Sequence, residues 1–454
     1  MKNRILLCLA LAFAVLTLKA QNGYQSLFDG KTLKGWKRLA GTADYKVENG
    51  QIVGTSVAGS GNTFLVTEKQ FGDFILELDA KIDNPTANSG VQVRSHYDAA
   101  GHEGKGLVYG KQCEIDPSIR QWSGGIYDEG RRDWLYPMDL NAKEKAAFKV
   151  GKFNHIKIEC IGDEMKVWVN NMATAYVVDT LDRTGFIGLQ VHAVQKPEDA
   201  GEKVYFKNIR IKTTGSKPTP FAKDVYVVNL KPNFINTYEK DNGWKLMFDG
   251  KTSKGWRSVK NMDFPDKGWE IKNGMLTVLK NPEKEEPSGG DIVADEKYGA
   301  FDWSFEFKTT PVANSGVKYF VTLSNGTTGS ALGLEYQVLD DDRHPDAKLG
   351  RNGDRKMGSL YDILPAAKQA RFVHPVGSWN TARIVVYPNN HVEHYLNGVL
   401  ILEYERGGAE FNEAIALSKF KSIKNFGKGA DGYLMIQDHG CEVSYRNIKI
   451  KKLD

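Results

Sequence analysis

A string near the start of this chain returns, hardly changed, in its second half, and that return constrains the fold more than any other feature. Leu27-Phe28-Asp29-Gly30-Lys31-Thr32-Leu33-Lys34-Gly35-Trp36 recurs as Met247-Phe248-Asp249-Gly250-Lys251-Thr252-Ser253-Lys254-Gly255-Trp256. Phe71 to Lys81 aligns without a gap on Tyr298 to Lys308, Asn88-Ser89-Gly90-Val91 on Asn314-Ser315-Gly316-Val317, and Asn208 to Lys212 on Asn447 to Lys451. A unit of about 200 residues present twice is a duplicated domain, far longer than a solenoid or propeller repeat of roughly 20–50 residues. Gly215-Ser216-Lys217-Pro218-Thr219-Pro220 punctuates the junction. The expected organisation is a leader over 1–20, a first domain over 21–214, a linker over 215–240 and a second domain over 241–454.

Within each copy the apolar period is two. Phe74, Leu76, Leu78 and Ala80 alternate with Ile75, Glu77, Asp79 and Lys81, and Phe301, Trp303, Phe305 and Phe307 with Asp302, Ser304, Glu306 and Lys308, which is the pattern of strands with one buried face. The 46 Gly, 21 Phe, 19 Tyr and 9 Trp suit turn-rich β-structure. Helical patterns are scarce; Asn141 followed by Ala142 to Phe148 is one short candidate with an Asn cap. Val225 to Leu230 reads as a short strand without an evident partner. The fold class is therefore all-β, two tandem β-sandwiches.

Hydrophobic residues at 41% and charged residues at 26% exclude a disordered chain and a polytopic membrane protein. A net charge of +5 with no basic block argues against nucleic acid as partner. Lys2 and Arg4 ahead of the apolar run Ile5 to Leu18, closed by Ala20, have the layout of a secretory leader, so a periplasmic or otherwise secreted protein with no membrane span after cleavage is expected. Cys113, Cys160 and Cys441 lie far apart with no CxxC pair, and burial in the core is their expected fate.

The opening LFDGKTLKGW, the NSGV turn, and the second copy's GLEYQVLDD, GSLYD, SWN, VEHYLNG, IQDHG and RNIKIK resemble the 3-keto-disaccharide hydrolase domain family, over roughly Tyr24–Thr213 and Asp241–Asp454. The resemblance implies a concanavalin A-like jelly-roll in each copy. It also implies cleavage of glycosides already oxidised to a ketone at C3 of the sugar. The partner expected on this reading is an oligosaccharide or glycoside.

Alternation sorts the polar residues in these strands. If Tyr336 and Val338 face the core, Glu335 and Gln337 point outward; Cys113 and Ile115 do the same for Gln112, Glu114 and Asp116. Val317 and Tyr319 leave Lys318 outward, with Gln92 and Arg94 on the matching strand of copy one, while Gln437 and His439 share a phase, as do Gln190 and His192. Glu335, Gln337, Lys318 and His439 are thus expected to converge on one concave surface. His192 and His439 suit ligand contact or structural hydrogen bonding alike, and His394, in phase with Val392 and Leu396, is as well a core residue as an active one. Trp36 and Trp256 read as core anchors, whereas Trp122, Tyr127 and Trp134, in an insertion peculiar to copy one, are candidates for contact with sugar, as is Tyr361 in copy two. Asp340, Asp341 and Asp342 are candidates for calcium or another divalent cation, with an ordinary turn as the alternative.

A C3 ketone acidifies the proton at C2, so a base can form the enolate and the C1 substituent can leave by β-elimination, water adding back afterwards. Glu335 or His439 would be the base, Lys318 the enolate stabiliser, and Asp438 or His394 the acid; Glu114, His192 and Arg131 would hold comparable roles in copy one. The Glu114-x-Asp116 pair also fits a conventional glycosidase, which copy two, with Gln337, would lack. A tandem lectin-like module that binds glycans without chemistry is the rival from another class, and a chain with one catalytic and one binding copy is a third reading.

Overall fold

A computed structural model describes residues 23–281 and 287–453; the leader read over 1–20 lies outside the described residues. Each repeat forms two antiparallel sheets face to face, so the molecule is two tandem jelly-roll sandwiches. In the first, a seven-stranded sheet runs, in spatial order, Asp133–Tyr136, Ile126–Glu129, Leu107–Ile115, Ser89–Asp98, Phe186–Val191, Thr63–Thr67, Trp36–Ala40. In the second, the corresponding sheet has five strands: Trp256–Ser258, Ile292–Tyr298, Gly432–Ile436, Asn314–Leu323 and Ala331–Leu339. No helix among the described residues is long and apolar enough to cross a membrane.

The repeated opening string has a physical reason in both copies. Asp29 Oδ1 accepts from the amides of Lys31 and Thr32 at 2.7 Å each, and Asp249 does the same for Lys251 and Thr252. The turn so made delivers a tryptophan whose indole N–H donates to Leu27 O (Trp36, 2.8 Å) or Met247 O (Trp256, 2.7 Å). Both tryptophans are buried. Each core is then filled from the two inner faces; in the second sandwich Phe301, Trp303, Phe305 and Phe307 meet Tyr319, Tyr336 and Tyr445. Cys113 and Cys160 are buried, while Cys441 is only half-buried, because it lies in a turn after the strand Gly432–Ile436.

The alternation in Phe301–Thr309 carries a consequence that its polar phase does not announce. Asp302, Ser304 and Glu306 are as buried as the aromatics between them, because the linker and the first sandwich cover that outer face. Arg383 holds Asp302 through two bonds of 2.8 and 2.7 Å, Tyr226 hydroxyl meets Ser304 Oγ at 2.8 Å, and Arg446 pairs with Glu306 at 2.5 Å. The linker is ordered for the same reason: Val228–Asn229 pairs in parallel with Met172–Val178, and Thr237–Asp241 is a helical turn closed by an Asn236/Glu239 capping box. A cavity of about 520 Å³ remains at this junction, lined among others by Trp134, Tyr226, Trp379 and Arg446.

The segment after Asn141 departs from expectation. Met138–Ala147 is a 3₁₀ segment entered from Pro137, and Asn141 is no cap: it is buried, donating to Ala173 O and Thr174 O at 2.9 Å each. Those two carbonyls belong to a bulged strand and need a donor, which outweighs local helix chemistry.

Candidate functional site

The outer face of the five-stranded sheet of the second sandwich gathers Lys318, Glu335 and Gln337 from adjacent strands. Lys318 stands opposite Glu335 in register, its Nζ 3.4 Å from Glu335 Oε2. The Gln337 amide, in the orientation its neighbours satisfy, donates to Glu335 Oε1 (3.1 Å) and Ser315 O (3.0 Å). Glu335 keeps only 7% of its exposure although it lies on an outer face, so neighbouring loops shelter it, while Lys318 beside it stays half-buried. Burial alone would push Lys318 down, but the charges of Glu335 and then Asp291 outweigh it and hold the ammonium above its ordinary pKa. Asp291 is pushed up, chiefly by burial. Tyr361 closes one side, its amide donating to Glu335 O at 3.0 Å and its ring lying 4.2 Å from Lys419 Nζ. His439 reaches the group through Asn314, at 3.5 Å, and Gln437 lies half-buried beside it, its main chain bonded to Ser315 and Gly316.

Gly316 is the floor of this arrangement. A Cβ there would sit 2.3 Å from Glu335 Oε1, and a Cβ on Gly90 in the first copy would sit 2.3 Å from the Gln112 side chain. The repeated Asn-Ser-Gly-Val therefore seats the side chain of the neighbouring strand.

In the first sandwich the same seat holds an amide. Gln92 and Gln112 replace Lys318 and Glu335 and bond to each other at 3.0 Å, while the carboxyl has moved two residues on, to Glu114. Glu114 accepts from Asn88 (2.7 Å) and Gln112 (2.9 Å) and is 4% exposed. Burial raises its pKa to about 7. A second carboxyl, Glu129, is raised by burial to about 7 as well and accepts from Asn62 at 3.0 Å. Gln190 lies between them, 3.4 Å from both Gln112 Nε2 and Glu129 Oε2. Tyr127, opposite Gln112 in register, donates to Asp133 at 2.7 Å. Asp116 is paired with Arg120 at 2.6 Å, and His192 is exposed just beyond its strand, Nδ1 3.0 Å from Ala193 O.

Several expected residues stand elsewhere. His394 is wholly buried between the sheets, Nε2 against Tyr319 hydroxyl (2.8 Å) and Nδ1 against Gly358 O (2.9 Å), and burial lowers it to about 4; it is a satisfied core histidine. Asp438 gives its Oδ2 to the amides of Ser288, Gly289 and Gly290 at 2.8–3.1 Å and its Oδ1 to Gly440, so it organises a loop and faces no open space. Arg94 leaves the expected face because its φ of 48° makes a bulge that breaks the alternation; its guanidinium is spent on Gly72 O, Gly162 O, Cys160 O and Asp73. Arg131 follows Asp128, which is in phase with core-facing Ile126, and is locked to Asp128 (2.7 Å) and Asp182 (2.5 Å) away from Glu114. Trp122 is buried, its indole donating to Asp139 at 3.2 Å, so it offers no face to a sugar; Trp134 remains half-exposed. Asp340 accepts from Val312 N and pairs with Arg343, and Asp341 accepts from Met357 N and pairs with Lys368 at 2.6 Å. With Asp342 these form a turn, and among the described residues no group of three His, Cys, Asp or Glu is placed to hold a metal.

Asp291, Asn314 and Lys419, and in the first copy Glu129, Asn62 and Asn88, are the members that alternation alone does not find. Asn88 and Asn314 carried a signal in the repeat itself, each opening the Asn-Ser-Gly-Val string.

Comparison with known proteins matches residues 23–212 and 243–451 to the family model described as the 3-keto-alpha-glucoside-1,2-lyase-like domain. A 3-keto-disaccharide hydrolase of Bacteroides thetaiotaomicron is 35% identical over 234 residues, covering 47% of this chain and 79% of that protein. Among solved structures, a candidate glycosyl hydrolase of Parabacteroides distasonis is 29% identical with a TM-score of 0.43, covering 49% of this chain and 100% of that one. A carbohydrate-binding module of Bacillus subtilis is 20% identical with a TM-score of 0.27, covering 39% of this chain and 94% of its own.

Proposed function

The chain belongs to the 3-keto-alpha-glucoside-1,2-lyase-like domain family, through both of its halves, and from that premise we propose that it cleaves 3-keto-glycosides by C2 deprotonation and β-elimination. The observation that carries the reading is the Lys318 ammonium held 3.4 Å from the Glu335 carboxylate, with Asp291 in the same cluster. Glu335 takes the C2 proton, and the electron pair of that bond passes to the C3 oxygen as an enolate. Lys318, kept charged chiefly by Glu335, faces that oxygen. Collapse of the enolate breaks the C1–O bond, and Asp291, the carboxyl that burial favours in protonated form, gives the leaving oxygen its proton. Water then adds at C1 and a proton returns to C2, for net hydrolysis.

A specific observation also favours a second centre. Glu114 and Glu129 share the outer face of the first sandwich, each raised by burial to about 7, so that each carboxyl is partly protonated near neutrality and suited to giving or taking a proton there. The leader-like residues 1–20 support export to the periplasm or beyond, which cell fractionation would test.

Incubation with a 3-oxidised glucoside in deuterated water, beside its unoxidised parent, tests the whole. The expected result is exchange at C2 and release of the aglycone from the oxidised sugar only. Glu335→Gln should lower both by at least roughly 100-fold, and Glu114→Gln should not if the second sandwich carries the chemistry. Equal cleavage of the unoxidised parent, or binding of both sugars with turnover of neither, would overturn the reading in favour of a conventional glycosidase or a lectin.

A further inference from the structure

The second sandwich sends one element across the junction to the first. The turn Ala370–Phe372 lies against the insertion of copy one, where Phe372 joins Trp122 and Met138 in a small apolar cluster, its ring centroid 5.6 Å from that of Trp122. Trp122 meets Trp134 edge-on at 4.6 Å, and Trp134 meets Tyr127 at 5.3 Å. Since Tyr127 stands opposite Gln112 on the outer face, an unbroken aromatic row leads from the carboxyl group of Glu114 and Glu129 to the other domain.

Two guanidinium groups lie on this row. Arg120 is 4.8 Å from the Trp122 ring and 5.6 Å from that of Trp134, and Arg371 is 4.4 Å from Phe372. Arg120 is neutralised by Asp116 at 2.6 Å. Arg371 is exposed and forms no ion pair among the described residues, and after burial its strongest electrostatic neighbour is the like charge of Arg120. Asp116 and Asp133 also attract Arg371, yet neither pairs with it, so its guanidinium keeps its donors open at the edge of the aromatic row. A planar fork of donors left without a carboxylate, beside half-exposed rings, suits vicinal hydroxyl groups on a sugar whose apolar face rests on the aromatics.

We propose that the Ala370–Phe372 turn completes a carbohydrate site on the first sandwich, with Arg371 donating to the hydroxyls of a second, neutral pyranose unit stacked along Tyr127 and Trp134. The class of ligand is therefore a disaccharide rather than a glycoside with a small aglycone. The proposal rests on the carbohydrate reading above, although not on which sandwich performs the chemistry.

Calorimetric titration of the full-length protein with an unoxidised glucose disaccharide and with methyl glucoside separates the two. Arg371→Ala should weaken the disaccharide by roughly tenfold or more and leave methyl glucoside unchanged. Arg371→Lys should recover only part of the loss, lacking the fork. An equal loss for both sugars, or no loss for either, would overturn the proposal while leaving the carbohydrate reading intact. Failure of the unaltered protein to bind either sugar would overturn the proposal, and failure to act on a 3-oxidised glucoside as well would overturn the carbohydrate reading with it.

Discussion

A carboxyl and an amide trade places between the two copies, and the trade changes what each surface can do. Glu335 and Gln337 answer to Gln112 and Glu114 at the same two positions of the same strand. Where the acid sits opposite lysine it keeps a fixed counter-ion; where it sits among amides, burial drives it toward neutrality. The second case has a pH signature. A carboxyl raised from 4.5 to about 7 in the folded state binds its proton there while the unfolded chain has lost it. The folded state thus binds more protons between those values, and stability falls as pH rises through that window. The expected outcome is a steeper decline in Tm from pH 5 to pH 7 in the natural protein than in the Glu114→Gln, Glu129→Gln double variant. Parallel pH profiles would refute it. Alternation made Lys318, Glu335 and Gln337 legible because each is flanked by core residues on a regular strand. Glu129 offered no such reference, standing at the end of a short strand in an insertion, and Asp291 precedes its strand altogether.

At the scale of elements, irregularity decides what periodicity cannot. Arg94 and Phe320 occupy equivalent bulges, with φ of 48° and 52°, and beyond each the phase of the strand no longer follows from counting residues. That is why the strands were readable and the outward list along them was not wholly so: Arg94 was placed by counting across a bulge, whereas His394, in phase with Val392 and Leu396, is the buried histidine that its phase allowed. Asp438 illustrates the same point through a loop. Three amides from Ser288 to Gly290 point at one oxygen, a nest that closes over the strand Ile292–Tyr298 and over Asp291, whose Oδ1 accepts from Asp438 N at 3.0 Å. Asp438→Ala should cost about 3 kcal/mol of stability, measured by urea unfolding, and should depress cleavage through displacement of Asp291. Retention of full stability and activity would show the loop to be held by other means.

For the molecule as a whole, the duplication produced one body rather than two beads. Lys449, buried in the second sandwich, meets Glu239 of the linker at 2.5 Å, and Asn447 donates to Asn229 O at 3.2 Å, on the strand the linker adds to the first. Lys449→Met leaves the Glu239 carboxylate buried and unpaired, an effect of about 3–5 kcal/mol. Calorimetry should then resolve two unfolding transitions where one is expected of the natural protein; a single transition at unchanged temperature would refute the coupling. The repeat and its two cores could be read from periodicity, whereas this junction could not, because nothing in a strand's alternation states what covers its polar side. The parallel pairing of Val228–Asn229 with Met172–Val178 also bears on any attempt to divide the chain. A first half ended at residue 214 would leave the outer edge of Val177 and Val178, which the linker strand covers, without its backbone partners and open to other copies. Solubility of the separated half is therefore a property of the linker, and a cut placed after residue 230 would keep that margin sealed.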